Sequence, residues 1–494
     1  MDEIRGTVSI TPPVDTKVDD VDIEFVGTSR TYVERLTTAA AVSGRSEAFH
    51  QFLKLEQPGL HMFYPDSGVM KAGQTYDFPF VFAVPQQMLL RICQHKINSP
   101  AVRDAHLLLP PSFGDKDLAN HPDALDDMAP EMANVRYGVF ARLTRVKHDG
   151  DEISRHTIAS KARRIQVIPK YEEQPPLSVG AQDPDYTMRK EKKIKKNVFK
   201  GKVGTLVMEA HQPQSFRLPA PNRTNGSPIS TMATVMLRFD PSEESSQPPR
   251  LGSLQSKLKA STFFASTARM SFPTKAHTML DLSQGVHSVH MNLSSRCMAN
   301  VEWKKHDPTK PDAIERRDSA MSMLDAGVTP EPSETYKGKT YYTARLLVPI
   351  SLPTNKAFVP TFHTCLISRV YALQMSLSLH GTGLGGSMDI KVPVQISSDG
   401  SNGEVDPHRG SVSSQTADAD IDDEDVSDFF ERRTIHVPDV QFMGRSRIGS
   451  APAPTRVPAS VPTQAASDDA PPGYSVFAPA AQPGSQRHMS VPVY

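Results

Sequence analysis

Apolar and polar residues alternate in short runs over residues 1–398. Examples are "GTVSI" at 6–10, "VDIEFVG" at 21–27, "TYDFPFVFAVP" at 75–85, "VRYGVFARLTRV" at 135–146, "TMATVMLRF" at 231–239, "TYYTARLLVPI" at 340–350 and "VYALQMSLSL" at 370–379. A period of two, punctuated by Pro, Gly, Asn and Asp, predicts antiparallel strands packed as sandwiches rather than βαβ units. Only "PQQMLLRICQHK" at 85–96 spaces its apolar residues as a helix would, and it is short. The predicted class is all-β.

The pattern recurs. The first half carries "YDFPFVFAVP", "LPPSFGD" and "VRYGVFARLTRV"; the second carries "TARLLVPISLP", "FVPTFHTCLI" and "SRVYALQMSLSL". Each unit reads as an apolar strand ended by proline, a Phe-containing turn and a Tyr-bearing strand, with proline at strand ends where no ladder donor is lost. This predicts two β-sandwich domains, at 1–185 and 203–398, joined by a basic junction at 186–202. From 399 to 494 the composition turns to Ser, Asp, Ala and Pro, too poor in apolar residues to offset ordering entropy, which predicts a disordered tail.

Composition narrows the partners. The chain has 494 residues, with 55 Lys+Arg against 55 Asp+Glu, so bulk charge gives no reason to expect nucleic acid. Cys93, Cys297 and Cys365 are an odd, scattered set without C-x-x-C spacing, which argues against a disulfide framework and a zinc knuckle. The expectation is a reducing compartment with no metal and no cofactor. No apolar run is long enough to cross a bilayer and the N-terminus lacks a signal-peptide profile, so a cytosolic protein is expected. Cys93 with His95, and His363 with Cys365, share a strand face by spacing, yet neither pair has a third, orienting member. "HGTGLGG" at 380–386 lacks the Lys-Ser/Thr of a phosphate loop. No enzyme is expected.

Six segments taken in order carry a resemblance: Gly6-x-Val8-x-Ile10, "FPFVFAVP" at 78–85, "LPPSFG" at 109–114, "VRYGVFARL" at 135–143, "LLVPISLP" at 346–353 and "SRVYALQMSLSL" at 368–379. Together they resemble the arrestin fold, and specifically the fungal α-arrestins, the arrestin-related trafficking adaptors. Family members usually begin with a further strand before the G-x-V-x-I element. Here Met1 lies almost on top of it, so either an upstream exon precedes this sequence or the first sheet lacks an edge strand. The 115–133 loop is longer than the simplest family pattern, and no motif marks the charged lock of visual arrestins.

Two further features bear on function. "RKEKKIKKNVFKGK" at 189–202 is a dense basic run in a neutral chain. Lys190, Lys192, Lys193, Lys195 and Lys196 are its candidate contacts to anionic phospholipids or to acidic, phosphorylated tails, a solvated junction being the plain alternative. In the tail, "PPGY" sets Pro471 and Pro472 before Tyr474; adjacent prolines favour polyproline II, the conformation that WW-domain grooves bind. The resemblance implies that this motif recruits a HECT-type ubiquitin ligase through its WW domains. Arg447 three residues before Ser450, and Arg487 three before Ser490, each followed by proline two residues on, resemble phosphorylation-dependent 14-3-3 ligands flanking Tyr474. The expected function is an adaptor for ubiquitination and endocytosis of membrane transporters or receptors, recruited peripherally to plasma membrane and endosomes. An arrestin-fold signalling scaffold for ambient pH or nutrients, and a retromer-like coat subunit, are the alternatives.

Overall fold

The computed structural model describes residues 2–35, 44–116, 125–149, 152–197, 200–220, 228–307, 329–380 and 386–400. The first half runs β1 (Glu3–Ile10), β2 (Thr16–Lys17), β3 (Asp20–Arg35), β4 (Gly44–Glu56), β5 (Val69–Met70) and β6 (Tyr76–Ala83), then helix α1 (Pro100–Leu107), β7 (Ala133–Asp149) and β8 (Glu152–Arg164). There follow β9 (Arg189–Asn197), β10 (Lys200–Ala210), β11 (Phe216–Leu218), β12 (Ser230–Pro241), β13 (Arg250–Ala265) and helix α2 (Lys275–Leu280). The second half ends with β14 (Gln284–Cys297), β15 (Lys304–His306), β16 (Tyr341–Ser351), β17 (Phe362–His363), β18 (Ile367–His380), β19 (Gly386–Val394) and β20 (Ile396–Ser398). Among the described residues no helix is long and apolar enough to cross a membrane.

The expected all-β antiparallel architecture is what the chain adopts. In the first half β4-β3-β7-β8 form one sheet, faced by the pairs β1-β6 and β2-β5. Phe25, Phe52 and Tyr137 of the large sheet meet Phe78 and Phe82 of β6 in one core, with Phe52 and Tyr137 edge to face at 5.5 Å. Gly27 makes room for both rings, because a Cβ there would stand 2.6 Å from Phe52 and 2.8 Å from Tyr137. In the second half β15-β16-β12-β10-β9 stack on a sheet built from β14-β13-β18-β17, with β19 also paired to β18. Leu206, Val235 and Leu346 from one sheet pack against Leu258, Leu373 and Ile390 from the other. β16 shows why the sequence pattern works: its buried and more exposed positions alternate along nearly the whole strand. One pairing is parallel, β11 with β20.

The two cores are not sealed from each other. The first also takes in Phe264 from the end of β13, and Phe362, Leu366 and Ile367 from the β17–β18 region. At the seam lies Arg369, fully buried. Its guanidinium donates to Thr262 Oγ1 at 2.6 Å, to the Asp127 carbonyl at 3.2 Å, to the Met128 carbonyl at 3.3 Å and to Tyr371 Oη at 3.3 Å. The Phe113 and Tyr371 rings lie 5.4 and 5.2 Å from it. Met128 adopts the left-handed conformation, φ 59°, a region that non-glycine residues seldom occupy.

The helical spacing at 85–96 does not give a helix there. Met88 N donates to the Leu107 carbonyl, and only a single 3-10 turn forms at Leu90–Ile92. Leu89 and Leu90 stay exposed, so tertiary pairing overrides the local pattern. The helix forms instead as α1, with Pro100 at the first helical position, where its missing N–H costs nothing, and with Val102, His106 and Leu107 buried.

Candidate functional site

The basic run is a strand. β9 is the outer member of its five-stranded sheet, paired to β10, with Lys195 opposite Lys202. Ile194 turns into the core, and Met188 packs beside it. Arg189 is committed to Glu209 at 3.1 Å and Glu191 at 2.8 Å, and also donates to the Glu331 and Pro332 carbonyls. Lys192 Nζ donates to the Ser387 carbonyl at 3.0 Å. Lys190, Lys193 and Lys195 are exposed. Lys196 continues the strand. Lysines on an outer strand repel a second strand that would otherwise add to the sheet, so these side chains guard the edge whether or not they also meet an anion.

A second positive site was hidden in the sequence. Lys259 of β13, Lys275 at the start of α2 and Lys391 of β19 converge around Asp185. Lys275 Nζ lies 3.6 Å from Asp185 Oδ1, Lys391 Nζ donates to the Asp185 carbonyl, and Lys391 sits 5.3 Å from the Tyr186 ring. Burial first, and Lys275 next, push the Lys259 ammonium down to about 8. Burial, with the Lys275 and Lys259 charges, holds Lys391 at about 8 as well. His290, opposite Lys259 in register, is lowered by burial and by the same lysines. Lys259 is buried and Lys275 and Lys391 are half-buried, so these three cations around the Asp185 carboxylate form a part-buried positive site suited to a multiply charged anion.

The cysteines and histidines also converge. Cys93 follows the Leu90–Ile92 turn, His95 comes two residues later, His106 lies in α1, and Cys365 lies in the β17–β18 turn. Cys93 Sγ is 3.2 Å from His95 Nε2, 3.6 Å from His106 Nδ1 and 3.7 Å from Cys365 Sγ, while His95 Nε2 is 3.3 Å from Cys365 Sγ. The Cys365 thiol hydrogen bond, aided by the two imidazoles, holds Cys93 far below the ordinary thiol range, at about 3; the same bond pushes Cys365 up. The spacing argument against a zinc knuckle considered neighbours in sequence. The structure gathers four donors from three separate segments. His363 is not among them and packs edge-on to Phe272, ring centroids 4.7 Å apart.

An acidic cleft of about 410 Å³ lies between β3 and the 56–64 segment. Its carboxylates are occupied: Asp22 by Arg142 at 3.0 Å, Glu24 by Lys54 at 2.9 Å, and Asp20 by the Tyr64 hydroxyl at 3.0 Å. Pro471, Pro472, Tyr474, Ser450 and Ser490 lie outside the described residues.

Residues 271–398 match the family model described as Bul1 C terminus. No curated protein matches the sequence. Among solved structures, squid arrestin is similar at 8% identity with a TM-score of 0.24, covering 81% of this chain and 100% of its own. A structure described as pT26-6p is similar at 7% identity with a TM-score of 0.12, covering 81% of this chain and 61% of its own. Neither structural likeness bears on function.

Proposed function

We propose that this chain, arrestin-like in fold and matching the Bul1 C terminus over residues 271–398, is an adaptor that brings a WW-domain HECT-type ubiquitin ligase to membrane transporters or receptors. The observation that carries the reading is the P-P-x-Y motif, Pro471, Pro472 and Tyr474, placed after an arrestin-like body. The body recognises cargo at the cytosolic side of the membrane, and the motif docks the ligase. Linking the two raises the ligase's effective concentration near cargo lysines, which are then ubiquitinated and the cargo internalised. The exposed lysines of β9 and the Lys259–Lys275–Lys391 cluster support an encounter with anionic headgroups or acidic cytoplasmic tails.

The test is co-purification of the full chain with the WW-domain array of a HECT ligase. Tyr474→Ala should abolish capture while leaving the thermal unfolding of the body unchanged. Undiminished capture by the variant would sink the docking assignment. Retained capture without any change in cargo ubiquitination would sink the adaptor role.

A further inference from the structure

We propose that Cys93, His95, His106 and Cys365 form a structural zinc site that clamps the α1 segment to the β17–β18 turn. With Zn–S near 2.3 Å and Zn–N near 2.0–2.1 Å, a tetrahedron requires sulfurs about 3.8 Å apart and sulfur–nitrogen edges of about 3.5 Å. The sulfurs are 3.7 Å apart, and the three close sulfur–nitrogen edges are 3.2, 3.3 and 3.6 Å. All four donor atoms lie within 4.8 Å of one another. Two thiolates and two imidazoles are a donor set that suits zinc.

Hydrogen bonding alone accounts poorly for this arrangement. His95 Nδ1 lies 3.0 Å from the Lys96 carbonyl, to which it donates, and this turns Nε2 towards both sulfurs. One ring nitrogen makes one well-directed hydrogen bond, and His95 Nε2 faces two sulfurs, Cys93 at 3.2 Å and Cys365 at 3.3 Å. A hydrogen bond directed at either sulfur leaves the other contact without one of its own, whereas a cation at the centre of the four atoms takes in both. On binding, zinc takes the place of the two protons that Cys93, Cys365 and the adjoining imidazole hold between them, which leave to solvent, and its two charges cancel those of the two thiolates. The result is a neutral centre, which the buried surroundings favour. Cys93, His106 and Cys365 are buried, whereas His95 is half-buried between exposed Gln94 and Lys96, giving the ion a route in.

The neighbouring backbone is held for the purpose. Arg269 N donates to the Cys365 carbonyl at 2.9 Å, and the Arg269 guanidinium reaches the Leu366 carbonyl at 2.7 Å and Ser368 Oγ at 2.8 Å. The turn carrying Cys365 is therefore fixed before any metal arrives. The ligands span positions 93 to 365, so the ion joins parts of the chain that are remote in sequence. Such a cross-link restricts the unfolded chain far more than a local zinc knuckle would.

The experiment uses the full chain, expressed with zinc supplied, purified under reductant and without a metal-affinity resin. Elemental analysis should find about one zinc per chain. Occupancy should fall by about an order of magnitude in His95→Asn and Cys365→Ser, and stay unchanged in Cys297→Ser, whose thiol is exposed and remote from the cluster. Cobalt(II) exchanged into the unmodified chain supplies a readout that needs no variant: tetrahedral ligand-field bands with thiolate-to-cobalt charge transfer. A folded chain with only trace metal, an octahedral cobalt spectrum, iron or copper in zinc's place, or a Cys93–Cys365 disulfide formed under reductant would each overturn the assignment.

Discussion

Replacing Arg369 with methionine tests whether the seam between the cores is held by its guanidinium. Methionine keeps the length and apolar stem but removes four hydrogen bonds. The Asp127 and Met128 carbonyls then lose a buried donor, at about 1–3 kcal/mol each. Loss of the ring contacts adds roughly 0.5–2 kcal/mol. Against this stands the relief of burying a cation that has no carboxylate within ion-pair distance among the described residues, worth several kcal/mol. The net expectation is a loss of about 3 kcal/mol, less than the bare sum of lost bonds because charge burial is refunded. In urea this corresponds to a midpoint lower by about 1 M or somewhat less. The loss should be local before it is global. The 125–133 segment, tied to the second half by Lys356–Asp126 at 2.7 Å and by Ala357 N to the Asp126 carbonyl at 3.0 Å, should become the first site of limited proteolysis. An Arg369→Met chain at least as stable as the parent, with 125–133 still protected, would refute the reasoning and show that burial of the charge outweighs its bonds.

Gly114→Ala should cost about 1–3 kcal/mol, since Gly114 sits at φ +64° and a Cβ would stand 2.7 Å from the Ala133 carbonyl. Gly68→Ala, at the same φ but in open space, should cost only about 1 kcal/mol, and equal losses in denaturant titrations would remove the clash argument. Lys259 and Lys391 titrate near 8 in the fold, against about 10.4 unfolded, so between these values the unfolded chain holds more protons and stability rises with pH. The Lys391→Met chain should therefore melt above the parent at pH 7 and converge with it only as pH rises past about 10.4, the unfolded value, and inorganic phosphate should stabilise the parent more at pH 7; a pH-independent difference counts against the cluster. A tail peptide phosphorylated at Ser450 and Ser490 should bind 14-3-3 and, once bound, lose WW-domain affinity. Titration showing WW binding unaffected by bound 14-3-3 would discard that switch.

The strands were legible because burial enforces a period of two: β16 buries every second side chain and β1 half-buries every second one, as their sequences alternate. The 85–96 segment misled because its apolar residues follow a helical spacing while its backbone donors are claimed elsewhere, Met88 by Leu107 among them. The metal-binding geometry was illegible for a different reason. Cys93 and His95 looked like a pair without a third member, and their partners, His106 and Cys365, are set by helix placement and by a turn some 270 residues away. The lysine cluster hid in the same way, as one residue from each of β13, α2 and β19. The basic run was visible by composition, but only strand pairing shows that its lysines line the outer edge of a sheet.

β13 has a consequence for how this chain can be divided. Its middle, Leu254 to Ala260, belongs to the second core, its end at Phe264 belongs to the first, and Thr31 Oγ1 donates to the Ala265 carbonyl at 2.6 Å. The same strand lies between β14 and β18. A fragment ending before Arg250 leaves the first core without Phe264, and one beginning after Ala265 leaves β14 and β18 with facing edges and no partner between them. Neither half is a cassette that recombination could pass intact to another gene. Exchange between relatives has to carry the strand with both its neighbours, so the heritable unit of this architecture is the joined pair.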